Sequence, residues 1–171
     1  PSAVMGKNER HWRTMHVERH AEEDWTAVKT FRIAADWLRR NRDHERFFLH
    51  IDCFPPHEPL DPPERLLRQF WPDGYGNPED SFDNWPYSKW RKAGLTERQM
   101  NFTRARYAAN VALVDEWLGH LLDAMDELNL WDDTLLIFTT DHGTYNGDHG
   151  RVGKLQTHQH DAVAHIPFIV C

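Results

Sequence analysis

Thr134-Leu135-Leu136-Ile137-Phe138-Thr139-Thr140-Asp141-His142-Gly143 is an apolar run that ends on two potential metal ligands and a glycine. Leu135 to Phe138 are continuously apolar, the pattern of a central strand covered on both faces in a parallel sheet. Asp141 and His142 follow where that strand stops, and Gly143 permits a sharp bend. In open α/β sheets, ligands bind beyond the carboxyl ends of the strands. A carboxylate and an imidazole delivered together at such an edge are a candidate half of a metal site. The competing explanation of the triplet is a turn closed by an Asx hydrogen bond.

Downstream come Asn146-Gly147-Asp148-His149-Gly150 and then Arg151-Val152-Gly153-Lys154, a glycine-rich turn leading to a lysine. Ala164-His165-Ile166-Pro167-Phe168-Ile169-Val170 reads as a short buried strand near 166–170. Upstream, Phe47-Phe48-Leu49-His50-Ile51-Asp52 reads as another, near 46–52, and runs into Cys53-Phe54-Pro55-Pro56-His57-Glu58-Pro59. Val28, Phe31, Ala35 and Leu38 recur at spacings of three and four, which predicts an amphipathic helix from about Asp24 to Arg40. Thr96-Glu97-Arg98-Gln99 is a capping box, opening a helix to about Leu128. Its expected core stripe is Tyr107, Val111, Val114, Leu118, Leu121, Met125 and Leu128. Residues 1–21 read as a polar arm or loop. Residues 54–94, rich in Pro, Gly, Asp and Trp, read as an irregular lid-like insertion with one short helix near 64–70. Aromatic residues there (Trp71, Tyr75, Trp85, Tyr87, Trp90) either stack on a substrate ring or pack the segment onto the body.

The 171 residues are 40% hydrophobic and 27% charged, which suits one soluble globular domain. No apolar run approaches the roughly 18 residues of a membrane-spanning helix. A formal charge of −7 argues against a nucleic-acid partner, yet leaves room for anionic substrates where the local field opposes the net charge. Two cysteines, Cys53 and Cys171, make no disulfide framework. The opening Pro1-Ser2-Ala3-Val4 carries neither the basic head nor the apolar core of a signal peptide. The compartment, cytoplasmic or periplasmic, and the oligomeric state stay open.

The order of these parts resembles the sulfatases of the alkaline-phosphatase superfamily over about residues 22–171. The shared series is a strand ending in a Pro-His-x-Pro type loop, a long helix, a strand ending in Asp-His-Gly, a Gly-x-His-Gly turn, a Gly-Lys pair and a closing Ile-Pro strand. The resemblance implies an α/β/α sandwich around a mostly parallel sheet, alkaline-phosphatase-like and incomplete, with its N-terminal part missing. It implies metal ligation by Asp141 and His142. A carboxylate suits Ca²⁺, Mg²⁺ or Mn²⁺, and the imidazole tilts the choice toward Mn²⁺ or Zn²⁺. Lys154 then contacts sulfate oxygens, with a solvated loop lysine as the bland alternative. His57 points into the sulfate pocket as donor or general acid, unless turn backbone alone holds it. His158 is a further candidate substrate contact, and Asp148-His149 braces the turn that carries Lys154.

The family's formylglycine comes from a Cys/Ser-x-Pro/Ala-x-Arg motif, and this sequence has none. Cys53 imitates the motif but lacks the arginine, so it is rejected as nucleophile. The expectation is a metal-dependent sulfuric ester hydrolase acting on a small-molecule or carbohydrate sulfate ester, with the formylglycine in the missing part. This chain by itself is expected to be inactive. The alternatives are a phosphonate or phosphate ester hydrolase of the same superfamily, or a non-catalytic sulfatase-like binding chain.

Overall fold

The computed structural model of the chain describes residues 19–44, 46–80, 89–154 and 158–171. Residues 1–18 of the expected arm, and Trp85 and Tyr87 of the expected lid, lie outside the described residues. The three-and-four spacing that begins at Val28 produces helix α1, Thr26–Asn41, whose buried side carries Ala27, Val28, Phe31, Ala34, Ala35 and Leu38. Helix α2 is Glu64–Phe70 and buries Leu66 and Leu67. Helix α3, Glu97–Glu127, opens on the capping box. The Thr96 N–H donates to Gln99 Oε1 (2.9 Å) and the Gln99 N–H donates to Thr96 Oγ1 (3.2 Å).

Only part of the expected stripe on α3 lies in the core. Leu121 and Met125 are buried, whereas Val111 is 41% exposed. The buried line instead runs through Met100, Ala105, Ala109, Leu113 and Ala124. Alanines let a neighbouring element approach closely, and a search for large apolar residues passes over them.

The fold has two compact units, whose sequence boundaries fall at residues 72/73, 105/106 and 134/135. One holds α1, α2 and the greater part of α3. Its outer charges are matched: Arg39 of α1 pairs with Glu127 of α3 (2.9 Å), and Arg65 of α2 with Glu22 and Glu116. Such exposed pairs contribute about 0–1 kcal/mol each, so burial carries the stability of this unit.

The other unit holds the start of α3 and, among the described residues, all the strands. β1 (Ile137–Thr139) pairs antiparallel with β4 (Phe168–Val170), with Phe138 opposite Ile169. Leu136 and Cys171 extend the ladder by exchanging two hydrogen bonds of 3.0 Å. β2 (Tyr145–Asn146) pairs antiparallel with β3 (Val152–Gly153), and Lys89 forms an antiparallel bridge with Arg151. Trp90, Met100 and Val152 form one buried cluster of this unit, with Leu95 packed against them.

The mostly parallel, alkaline-phosphatase-like sheet expected from the sequence is therefore wrong for this chain. The architecture is α/β with small antiparallel sheets. A parallel pair needs a crossover connection of a dozen or more residues, usually helical. Between β1 and β4 the only α-helix among the described residues is α4, Asp161–Ala164, four residues long. The chain therefore returns and pairs antiparallel. Residues 46–52 join no strand among the described residues, and the expected strands at 134–140 and 166–170 shorten to β1 and β4. Nor is the apolar run covered on both faces: Leu135 is 69% exposed and Ile137 51%.

Burial sets an expected contrast in the 171-residue chain. Leu67, fully buried, should cost about 2–5 kcal/mol on substitution by Ala. Leu135→Ala should stay within about 0.5 kcal/mol, as exposed positions do. Urea unfolding of both variants checks this, and a Leu67-sized loss at Leu135 would restore the buried-strand reading.

Candidate functional site

Beyond β1 the chain turns at Asp141. Its Oδ1 accepts the His142 N–H at 2.9 Å, and its carboxylate is 85% exposed. His142 Nδ1 lies 2.8 Å from the Gly143 carbonyl oxygen. A carbonyl only accepts, so Nδ1 bears a proton and Nε2 is the ring nitrogen left to face other groups. That Nε2 is 3.6 Å from Asp141 Oδ2. Two metal–ligand bonds of about 2.1 Å each span such a gap. The Asp141 hydrogen bond reaches only the next residue, short of the two-residue span of an Asx turn, and it holds the carboxylate beside the imidazole.

Gly143 serves this bend through close approach. Its N–H donates to the Val163 carbonyl at 2.8 Å, and a Cβ would collide with the Ala162 carbonyl oxygen and lie 3.2 Å from the Val163 Cα. Helix α4 thereby seats directly on the residue after His142.

The β2–β3 connection is a tight turn, with Gly147 at φ 108° and His149 at φ 51°. Asp148 Oδ2 accepts the Asn146 N–H at 3.1 Å, and the Gly147 N–H donates to the Arg151 carbonyl at 2.8 Å. Asp148 thus braces the turn, while the His149 ring stacks on His160 at 3.9 Å. Lys154 follows β3 directly and is half-buried. Tyr145, fully buried, donates its hydroxyl to the His158 carbonyl (3.1 Å) and accepts the His160 N–H (3.2 Å). The His158 imidazole is held below its usual pKa by desolvation, then by Arg151, His160 and Lys89. Sequence reading missed Tyr145, Lys89 and Arg151. Their only signal is a cross-strand register that local spacing does not reveal.

His57 belongs to the other unit. Its N–H donates to the Phe54 carbonyl (3.1 Å), and Phe54 packs on its ring at 4.4 Å. Nδ1 lies 2.6 Å from the Glu58 carbonyl oxygen, which again places the proton on Nδ1. Nearby, the Cys53 S–H donates to the Pro55 carbonyl at 3.6 Å. Burial, then the Asp52 carboxylate, pushes the Cys53 pKa up to about 11. A thiol so protonated at neutral pH is a poor nucleophile.

Asp141 and His142 fit a divalent cation by donor type and spacing, as two ligands of a larger set. Among the described residues no group of three or more His, Cys, Asp and Glu side chains could hold a metal ion. Nor is any described helix long and apolar enough to cross a membrane.

The Sulfatase family model matches residues 18–171, and the chain belongs to that family. It is 30% identical over 138 residues to the multifunctional alkaline phosphatase superfamily protein PehA of Trinickia caryophylli, covering 68% of this chain and 27% of that protein. It is 26% identical over 143 residues to an arylsulfatase of Clostridium perfringens, covering 79% and 29%. The chain therefore spans less than a third of the length of these relatives. In fold it is similar to the phosphonate monoester hydrolase of Agrobacterium radiobacter (TM-score 0.67, 24% identity, covering 88% of this chain and 34% of that one).

The raised Cys53 pKa sets a pH dependence. Alkylation requires thiolate, so its rate at Cys53 should rise about tenfold per pH unit from 7 toward 11. Mass-resolved iodoacetamide labelling checks this, and a rate already level by pH 8 would show an activated thiol.

Proposed function

We propose that this chain is the later part of a catalytic domain that hydrolyses monoesters of tetrahedral oxyanions, metal-dependent and of the sulfatase type. The observation that carries this reading is the paired-donor edge, Asp141 Oδ2 and His142 Nε2 at 3.6 Å, in a chain of the Sulfatase family. The part-domain reading is supported by the 27% and 29% shares of the relatives' lengths. Likeness to PehA, named multifunctional, and to phosphonate monoester hydrolases in fold favours phosphonate or phosphate esters beside sulfate esters.

Each residue has a distinct task in this reading. Asp141 and His142 are two ligands of a divalent metal, Ca²⁺ or Mn²⁺ with Zn²⁺ or Mg²⁺ as alternatives, and the Gly143 carbonyl fixes the His142 tautomer. When bound, the ion supplies Lewis-acid charge to the ester oxygens. Lys154 offers a cation to the oxygens on which charge develops. His57, its Nδ1 proton held by the Glu58 carbonyl, exchanges a proton at Nε2 with the leaving oxygen. His158 contacts the substrate. The nucleophile, a formylglycine in the sulfatase pattern, comes from the remainder of the domain.

Variants of the complete parent enzyme separate these tasks. Asp141→Asn should weaken metal affinity, with partial rescue of rate by excess Mn²⁺ or Ca²⁺. Lys154→Ala should keep its metal and lose roughly 10²–10³-fold in turnover. His57→Ala should also keep its metal and lose on the order of 10²–10⁴-fold. Metal titration alongside activity at matched ionic strength checks all three. Metal rescue of Lys154→Ala, or metal loss in His57→Ala, would contradict the assignments.

A further inference from the structure

Trp90 and Val152 turn inward to the same core, beside the bridge that sets Lys89 directly opposite Arg151. Arg151, extended just before the buried Val152, sends its side chain to the other face, and Lys89 is the residue directly opposite it in the bridge. Directly opposed residues of an antiparallel pair have Cβ atoms about 4.5–5.5 Å apart, and like charges placed so repel. In the same unit the other arginines near this ribbon are matched: Arg91 with Glu97 at 3.0 Å, Arg98 with Asp80, and Arg104 with the Asn146 carbonyl at 2.7 Å. Among the described residues neither the Lys89 ammonium nor the Arg151 guanidinium has a hydrogen bond or ion pair. The Arg151 Nε is moreover shielded from solvent with no acceptor. A buried donor left unsatisfied costs about 1–3 kcal/mol, more when charged. An anion between the two heads would remove both penalties.

The third side of this face is the segment 158–160. Tyr145, paired across the ribbon with Gly153, holds it through its hydroxyl. That brings the His158 ring within electrostatic reach of both cations, which help to lower its pKa. Lys154 lies three residues beyond Arg151, past Gly153 at φ 78°. We propose that Lys89, Arg151 and His158 form a second oxyanion subsite, which takes an anionic group of the substrate other than the ester being cleaved. The class of substrate is thereby narrowed to dianionic or polyanionic esters, such as a sulfate ester carrying a carboxylate. The substrate assignment rests on the reading of Lys154 given above, whereas the anion site itself does not.

The test uses the 171-residue chain at fixed low ionic strength, because the attraction is screened by salt. Phenyl sulfate, 4-carboxyphenyl sulfate and inorganic sulfate are titrated in turn, following the Arg151 Nε–H resonance and the dissociation constants. The carboxylated ester should bind at least about tenfold tighter than phenyl sulfate and shift the Arg151 resonance, a preference of about 1.4 kcal/mol. Arg151→Gln and, independently, the exposed Lys89→Gln should abolish that preference, and Lys92→Gln should retain it. Equal binding of the two esters, no Arg151 response, or a preference that survives both variants would overturn the proposal. An Arg151 response to inorganic sulfate without the carboxylate advantage would identify a free-anion site and overturn the substrate assignment. Lys154→Ala should weaken both esters alike and leave their ratio intact. An unchanged affinity there counts against the role of Lys154 alone.

Discussion

One hydroxyl ties the end of the chain to the ribbon on which the candidate site is built. Tyr145 is fully buried and bonds backbone groups on both sides of Gln159, the His158 carbonyl and the His160 N–H. His160 is in turn the N-cap of α4, so the same bonds fix where that helix begins. Helix α4 then presents the Val163 carbonyl to the Gly143 N–H. The residue before Gly143 is His142, whose ring is oriented by the Gly143 carbonyl. A route of backbone hydrogen bonds thus leads from a phenol in β2 to the orientation of an imidazole 3.6 Å from a carboxylate.

Charge is arranged on the same economical lines. The chain carries a formal −7, and most arginines with a described partner face a carboxylate. Against that background Lys89 and Arg151 stand opposite each other without a counter-charge among the described residues. A local field of the opposite sign to the net charge is what attracts an anion to an otherwise acidic surface. On the first edge, Asp141 and His142 supply two donors, short of a closed cage.

Much of this was legible from local pattern. Spacing located α1 to within two residues at its start, the Thr96–Gln99 box opened α3 where expected, and α2 fell at 64–70. Each of these depends on contacts within a turn or two. The sheet did not follow, because a continuous apolar run states neither the direction of its partner nor whether anything covers it. Leu135 and Phe168, each 69% exposed, are apolar without being core. Gly143 was identified as a bend, but its requirement is the approach of α4, set by residues some twenty positions away. Asp141, His142 and their shared turn were readable because they are adjacent. The Lys89–Arg151 pair was not, because sixty-odd residues separate its members and only register unites them.

Amide hydrogen exchange in Tyr145→Phe tests most directly whether this hydroxyl holds the site together. The substitution keeps the buried ring and removes both bonds, leaving the His158 carbonyl and His160 N–H without their partner. At about 1–3 kcal/mol for such groups, protection of the His160 and Gly143 amides should fall roughly five- to a hundredfold. Amides in α1, such as that of Phe31, should be unaffected. Unchanged protection at His160 and Gly143 would contradict the account, and show that the tail is held in place by something other than Tyr145.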